Sequence, residues 1–184
     1  MRVIAGSARG RQLRSLNGFW LRPTLDRVKE AIFSSLAFQL PGRRVLDLFA
    51  GSGALGIEAL SRGARTATFV DHDRQACALV RSNIYTCGWA ITGDIKVIRM
   101  DVFRWLRKSE EKYDIILADP PYDKGQEQTL LELLSGRDTL APGGILMIES
   151  GKRTDLPERA GKLRLQKSRV YGDTKISYFV LGDN

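Results

Sequence analysis

Two periods of hydrophobic patterning alternate along this chain. Compact apolar runs at 44–49 (Arg-Val-Leu-Asp-Leu-Phe), 66–71, 95–99, 113–118 and 144–149 have the length and branched-residue content of buried strands. Between them, 54–62, 74–86, 101–108 and 126–135 carry the wider spacing of amphipathic helices. Strand and helix in strict succession predict three layers around a mostly parallel sheet. The rhythm breaks at the end. The runs 163–170 and 174–181 are separated only by Tyr171-Gly172-Asp173, which leaves no room for a helix and predicts an antiparallel hairpin. The expectation is a mixed sheet of seven strands. Ahead of it, Pro23-Thr24 opens a helix in which Thr24 is the cap. Leu25, Val28, Ile32, Leu36 and Leu40 follow helical spacing, and Pro41-Gly42 stops it. Residues 2–5 and 11–16 suggest a short β-ribbon around a Gly6–Gly10 turn.

Size and composition leave this picture intact. The chain has 184 residues, 43% hydrophobic and 27% charged, which suits a single domain with a sizeable core. Residues 1–20 form its small basic β-ribbon appendage. No apolar run approaches the length of a membrane span, and no apolar leader opens the chain, so a cytoplasmic protein is expected, with a monomer as the default. Two cysteines and one histidine make neither a zinc site nor a disulfide framework, and no metal is expected. Charge adds more. Residues 1–30 carry net +5, residues 31–149 net −1, and residues 150–184 net +4. Basic ends around a neutral middle suit a phosphate backbone if the fold brings them to one face; otherwise they serve solubility.

The candidate chemistry begins at Asp47-Leu48-Phe49-Ala50-Gly51-Ser52-Gly53-Ala54-Leu55-Gly56, which follows a strand and opens a helix. Gly51 and Gly53 permit a tight turn close to a ligand, and Gly56 permits close helix packing. A dinucleotide site would set these glycines against pyrophosphate, and Asp47 opposes that. An acid there suits a ligand with an ammonium group and no phosphate, such as S-adenosylmethionine, unless Asp47 only hydrogen-bonds the turn. Asp47, Phe49, Ala50, Gly51, Ser52 and Gly53 are the candidate cofactor residues of this turn. Asp71 ends the second strand, where an acid can hold ribose hydroxyls, with His72 beside it and Asp73 as a helix cap. Asp101 can accept from an adenine amino group near Val102 and Phe103, or cap the helix it opens. Thr24 and Arg27 can cover the cofactor cleft; Arg27 can instead pair with Glu30.

The reactive candidate is Asp119-Pro120-Pro121-Tyr122, at the end of the fourth strand of the repeat. Consecutive prolines remove two N–H donors and stiffen the chain. Asp119 and the Pro120 carbonyl then serve as acceptors for an exocyclic amine, and Tyr122 offers a face for a base. Arg9, Arg11, Arg14 and Arg22 are candidate RNA contacts. Glu149 can line the site or the surface, and the Tyr171–Thr174 turn can approach substrate.

Taken together, these stretches resemble the bacterial 16S ribosomal RNA guanine-966 N2-methyltransferases. The likeness rests on Arg2-Val3-Ile4-Ala5-Gly6 with Gly10-Arg11, on Arg22-Pro23-Thr24-x-x-Arg27-Val28-Lys29-Glu30-Ala31-Ile32-Phe33, and on Asp47–Gly56 continued by Glu58-Ala59-x-Ser61-Arg62-Gly63-Ala64. Asp119–Tyr122 and Tyr171-Gly172-Asp173-Thr174 extend it over essentially the whole chain. The departures are modest: Asp71 stands where relatives often carry Glu, and the region around Trp20 is not diagnostic. The resemblance implies a three-layer, Rossmann-like class I S-adenosylmethionine-dependent methyltransferase fold. It also implies one methyl group on guanine N2 of 16S rRNA, in the 30S subunit or a late assembly intermediate. Asp-Pro-Pro-Tyr is shared with adenine-N6 enzymes, which makes adenine-N6 methylation of nucleic acid the alternative. A protein glutamine methyltransferase fits the basic ends less well, and an RNA-binding protein without activity would leave both motifs idle.

Overall fold

The computed structural model describes residues 1–15, 23–121 and 125–182, with the backbone alone for 23–25. Strands β1 (Arg44–Leu48), β2 (Thr66–Asp71), β3 (Ile95–Arg99), β4 (Tyr113–Ala118) and β5 (Leu140–Gly151) are parallel, and α2 (Ala54–Ser61), α3 (Arg74–Thr86), α4 (Val102–Lys108) and α5 (Gln126–Ser135) alternate with them. The hairpin β7 (Leu163–Tyr171) and β8 (Thr174–Leu181) then joins antiparallel to β5. An eighth strand, β6 (Arg159–Ala160), raises the count above the expected seven. At two residues it is too short to leave a periodicity in the sequence. The sheet order is β3-β2-β1-β4-β5-β8-β7-β6.

Alternation along the strands sorts side chains onto two faces. Val45, Ile115, Leu117, Ile145 and Met147 pack with Val28, Ile32, Phe33 and Leu36 of α1 (Pro23–Leu36). Leu46, Leu48, Ile116, Ala118, Leu146 and Ile148 pack with α4 and α5. No helix among the described residues is long and apolar enough to cross a membrane.

Helix α1 begins at Pro23, so Thr24 lies inside its first turn and not at the cap. Proline suits the first helical position, where its missing N–H has no partner to lose. The helix ends at Leu36 and tightens into a 3-10 turn over Ala37–Gln39 before Pro41.

Among the described residues the N-terminal ribbon reduces to one antiparallel bridge, Arg2 to Gln12. The reason is where its donors go. The Ile4 and Ala5 N–H groups donate to the Glu58 carboxylate on α2 (2.8 and 3.0 Å), and the Ala8 N–H to Ser61 Oγ (2.9 Å). The Arg14 N–H donates to Asn83 Oδ1 on α3, and Asn83 Nδ2 donates back to the Arg14 carbonyl. Val3, Ala8 and Leu13 pack with Ile57, Val80 and Ile84.

Candidate active site

The strand order reverses between β1 and β4. The chain leaves β1 toward β2 on one side and leaves β4 toward β5 on the other, which opens a crevice at the carboxyl ends of both strands. Asp47-Leu48 and Ala118-Asp119 deliver the two candidate motifs to that crevice, and the Asp119 N–H donates to the Leu48 carbonyl across it (3.4 Å). A cleft of about 680 Å³, counting its mouth, lies there. Its walls include Asp47, Phe49, Ala50, Gly51 and Ser52 of the turn, Val28, Lys29 and Ile32 of α1, and Asp119 and Glu149.

The turn is built from left-handed backbone. Gly51 (φ 55) and Gly53 (φ 77) adopt it freely, whereas Phe49 (φ 59) does so as a non-glycine residue, a strain on the order of 1–3 kcal/mol. Phe49 is held by an edge-on contact with Phe103 (centroids 5.9 Å apart), and the Gly51 N–H donates to Asp71 Oδ2 (2.9 Å). Gly56 permits close approach, as its position suggested: a methyl there would lie 2.8 Å from Phe69 Cζ and 3.0 Å from Asp47 Oδ2.

Three carboxylates share one side of the sheet. Asp47 lies in the row of Leu117 and Met147, and two residues later come Asp119, just past the end of β4, and Glu149, on β5. Asp47 is 1% exposed and accepts from the Gly56 N–H (2.9 Å). Burial pushes its pKa up to about 8, with Asp71 adding to the rise and the Gly56 bond opposing it. Asp119 is open to the cleft yet surrounded by protein, so an entering group can reach it while bulk water solvates it poorly. That environment, then Glu149, then Asp47, raises its pKa well above the ordinary carboxylate range. The Lys29 ammonium in the same wall is already matched by Glu58 (3.3 Å) and also donates to the Arg2 carbonyl. Burial lowers its pKa. The cleft is therefore rich in acid and suited to a cation.

The model of the family described as Conserved hypothetical protein 95 matches residues 1–180. The chain belongs to that family. It is 41% identical over 182 residues to YlbH of Bacillus subtilis, named provisionally an rRNA methyltransferase, covering 97% of this chain and 98% of that one. It is 34% identical over 172 residues to ribosomal RNA small subunit methyltransferase D of Escherichia coli K12, covering 94% and 85%. Among solved structures, Escherichia coli yhhF, named provisionally a methyltransferase, superposes with a TM-score of 0.85 at 32% identity, covering 100% and 99%. The fold is the α/β methyltransferase fold.

The other family stretches acquire definite positions. Glu58 and Ser61, in the segment after the glycine turn, hold the N-terminal residues. Glu58 is fully buried and receives Ile4, Ala5, Lys29 and Arg62 (Nε 2.8 Å). Sequence reading missed Glu58 and Lys29 as site supports. A glutamate amid Ala54-Leu55-Gly56-Ile57 and Ala59-Leu60 was the available signal, since buried acids require partners.

Several candidates lie apart from the cleft wall. Asp71 follows at the end of β2, where its second oxygen accepts from the Asp73 N–H (2.9 Å). His72 is exposed, its Nδ1 3.5 Å from Asp71 Oδ1, and Asp73 caps α3 through the Ala76 N–H (2.7 Å). Asp101 caps α4 through the Arg104 N–H (2.8 Å), and Val102 is buried in the core. Arg27 is exposed on α1; among the described residues of that helix, Val28, Lys29 and Ile32 line the cleft. Pro120 is buried and Pro121 exposed. Arg9, Arg11 and Arg14 are exposed on the docked N-terminal segment. Arg22, Tyr122 and the Thr24 side chain lie outside the described residues.

Proposed function

We propose that this protein transfers one methyl group from S-adenosylmethionine to the exocyclic N2 of guanine-966 in 16S ribosomal RNA. The products are N2-methylguanine and S-adenosylhomocysteine, and the substrate is the 30S subunit or a late assembly intermediate. The observation that carries the reading is the acid-lined cleft at the switch point, where Asp119-Pro120 leaves β4 beside the Asp47 glycine turn. Family membership and the names of the relatives support rRNA as the substrate. The protein acts as a single-domain monomer in the cytoplasm.

The residues fit S-adenosylmethionine, whose sulfonium supplies an electrophilic methyl group. Asp47 has a pKa near 8 in the absence of a cation, and an arriving ammonium favours its ionised form. Phe49, Ala50, Gly51, Ser52 and Gly53 form the cradle. Asp71 with His72 serves the ribose end, and Asp101 with Val102 the adenine end. Thr24 and Arg27 close over the cofactor from α1.

On the acceptor side, Asp119 and the Pro120 carbonyl accept hydrogen bonds from the guanine amine. Pro121 keeps the loop stiff, and Tyr122 stacks on the base. A neutral exocyclic amine is a weak nucleophile because its lone pair is delocalised into the ring. Acceptors on its N–H bonds hold it in a reactive geometry and carry away the proton. Once ionised, an Asp119 with a raised pKa is a stronger base than an ordinary aspartate. Arg9, Arg11, Arg14 and Arg22 contact the RNA backbone.

The test is transfer of tritiated methyl from S-adenosylmethionine to unmodified 30S particles, naked 16S rRNA and duplex DNA, followed by nucleoside analysis. N2-methylguanosine in the particle is the expected product. N6-methyladenine, or no transfer to any substrate, overturns the reading.

A further inference from the structure

Strand β7 reads Leu163-Arg-Leu-Gln-Lys-Ser-Arg-Val-Tyr171. Strict alternation along this run would place Leu163, Leu165, Lys167 and Arg169 on one face and Arg164 on the other. The structure arranges them differently. The pairing with β8 shifts between Leu165 and Lys167, so that Leu165 lies opposite Phe179 while Lys167 lies opposite Tyr178. This bulge inverts the facing of the second half of the strand. Leu163 and Leu165 keep the core face with Phe179. Arg164, Lys167 and Arg169 fall together on the other face, opposite Val180, Tyr178 and Ile176, the β8 residues that pack with the α1 cluster.

The three cations form one open strip. Arg164 and Arg169 are exposed and Lys167 half-buried, and no carboxylate pairs with any of them among the described residues. The Lys167 ammonium lies 4.6 Å from the centroid of the Tyr178 ring, which orients it without neutralising it. The strip also points toward the cleft. Arg169 is opposite Ile176, which is opposite Glu149. Ala118 opposite Ile148 sets Asp119 level with Glu149. Asp119, Glu149, Ile176 and Arg169 thus follow one row across four neighbouring strands, placing the Arg169 backbone roughly 14 Å from that of Asp119.

We propose that the α1-side face of β7 is a phosphate track for the RNA strand that carries the target base, with Arg164, Lys167 and Arg169 as its cationic contacts. The proposal rests on the reading of the substrate as RNA. Its partner is a sugar-phosphate backbone because the strip offers unneutralised positive charge and little that reads a base edge. The bulge is the device that puts both halves of the basic strand on the face where the cleft opens.

The experiment compares wild type, the triple variant Arg164→Gln/Lys167→Gln/Arg169→Gln and the α4-side control Arg107→Gln/Lys108→Gln. Binding of a 16S rRNA fragment is followed by fluorescence anisotropy across a salt series, and methyl transfer to 30S particles in parallel. Thermal melts establish folding, and Lys167→Gln alone serves if the triple variant does not fold. The triple variant is expected to bind RNA at least about tenfold more weakly. Its log-affinity against log-salt slope should fall by roughly 2–3, since each lost phosphate contact removes about 0.7–0.9. S-adenosylmethionine affinity should stay within about twofold of wild type. With Lys167→Gln alone the slope should fall by about one contact. Wild-type affinity and slope in the neutralised variant, or an equal loss in the α4-side control, overturn the track. If wild type methylates RNA while the triple variant is unaffected, only the track fails; if wild type neither binds nor methylates RNA, the substrate reading fails with it.

Discussion

Asp119, one residue beyond β4, stands level with Glu149 on the neighbouring parallel strand β5, and the charge of Glu149 makes Asp119 harder to ionise. The pair sits in the wall of the same cleft as Asp47. Crowded carboxylates raise one another's pKa, and a neighbouring cation favours their ionised forms.

The first consequence concerns pH. On the proposed mechanism a protonated Asp119 cannot take a proton from the amine, so kcat/KM is expected to rise with pH as Asp119 ionises. In Glu149→Gln one source of the raised pKa is gone, and this acid limb should move to lower pH. A pH-rate profile checks it; an unmoved limb means that Asp119 does not govern the rate.

Asp119→Asn keeps the shape of the side chain and removes the proton acceptor. Turnover should fall about 10²- to 10⁴-fold, while S-adenosylmethionine affinity measured by calorimetry stays near wild type. A parallel loss of cofactor binding would move Asp119 from the acceptor side to the cofactor side.

Asp47 links stability to pH in a definite direction. Its pKa rises from 3.8 to about 8 on folding, so between about pH 4 and 8 the native state holds a proton that the unfolded chain has released. Stability from this group therefore falls as pH increases through that window. Asp47→Asn, which can still accept from the Gly56 N–H, should flatten the decline and raise the melting temperature of the cofactor-free protein at pH 8. A gain on the order of 1–3 kcal/mol, or several degrees, is expected. The same variant should bind S-adenosylmethionine more weakly. Melting curves from pH 5 to 8.5 test the sign.

Gly56→Ala drives a methyl against Phe69 and toward Asp47. Overpacking of this kind costs about 1–3 kcal/mol. Combining it with Phe69→Leu, which vacates the ring position, should recover part of the loss. Denaturant midpoints for the two single variants and the double variant measure the coupling, and strict additivity would count against this contact.

Glu58→Ala leaves Lys29 without its carboxylate partner and the Ile4 and Ala5 N–H groups without acceptors. Removing one partner of a buried pair costs about 3–5 kcal/mol. Amide exchange at Ile4 and Ala5 should accelerate well beyond that at β1. Equal acceleration at both places would indicate global destabilisation without release of the N-terminal segment.

Much of this molecule was legible in the order of its residues. The runs around Val45–Leu48 and Tyr113–Ala118 are apolar on both faces because helices cover both sides of the sheet, and a local window records that. Asp47 stands near the end of one strand run with its glycines just beyond it, and Asp119 with its prolines follows another, so both motifs could be assigned to the carboxyl ends of strands from sequence alone. Asp73 was likewise readable as a helix cap.

Tertiary structure decided the rest, and the reason is that strand neighbours and register arise from pairings between distant segments. No local pattern says that β4 lies between β1 and β5, which is what gathers Asp47, Asp119 and Glu149 around one cleft. Glu58 shows no sign in its own helix that its partners are the backbone of Ile4 and Ala5. The expected ribbon yields to those helix side chains because they offer its backbone donors alternative acceptors. In β7, alternation by itself put Lys167 and Arg169 on the same face as Leu163, and only the shifted register against β8 turned them to the side where the cleft opens.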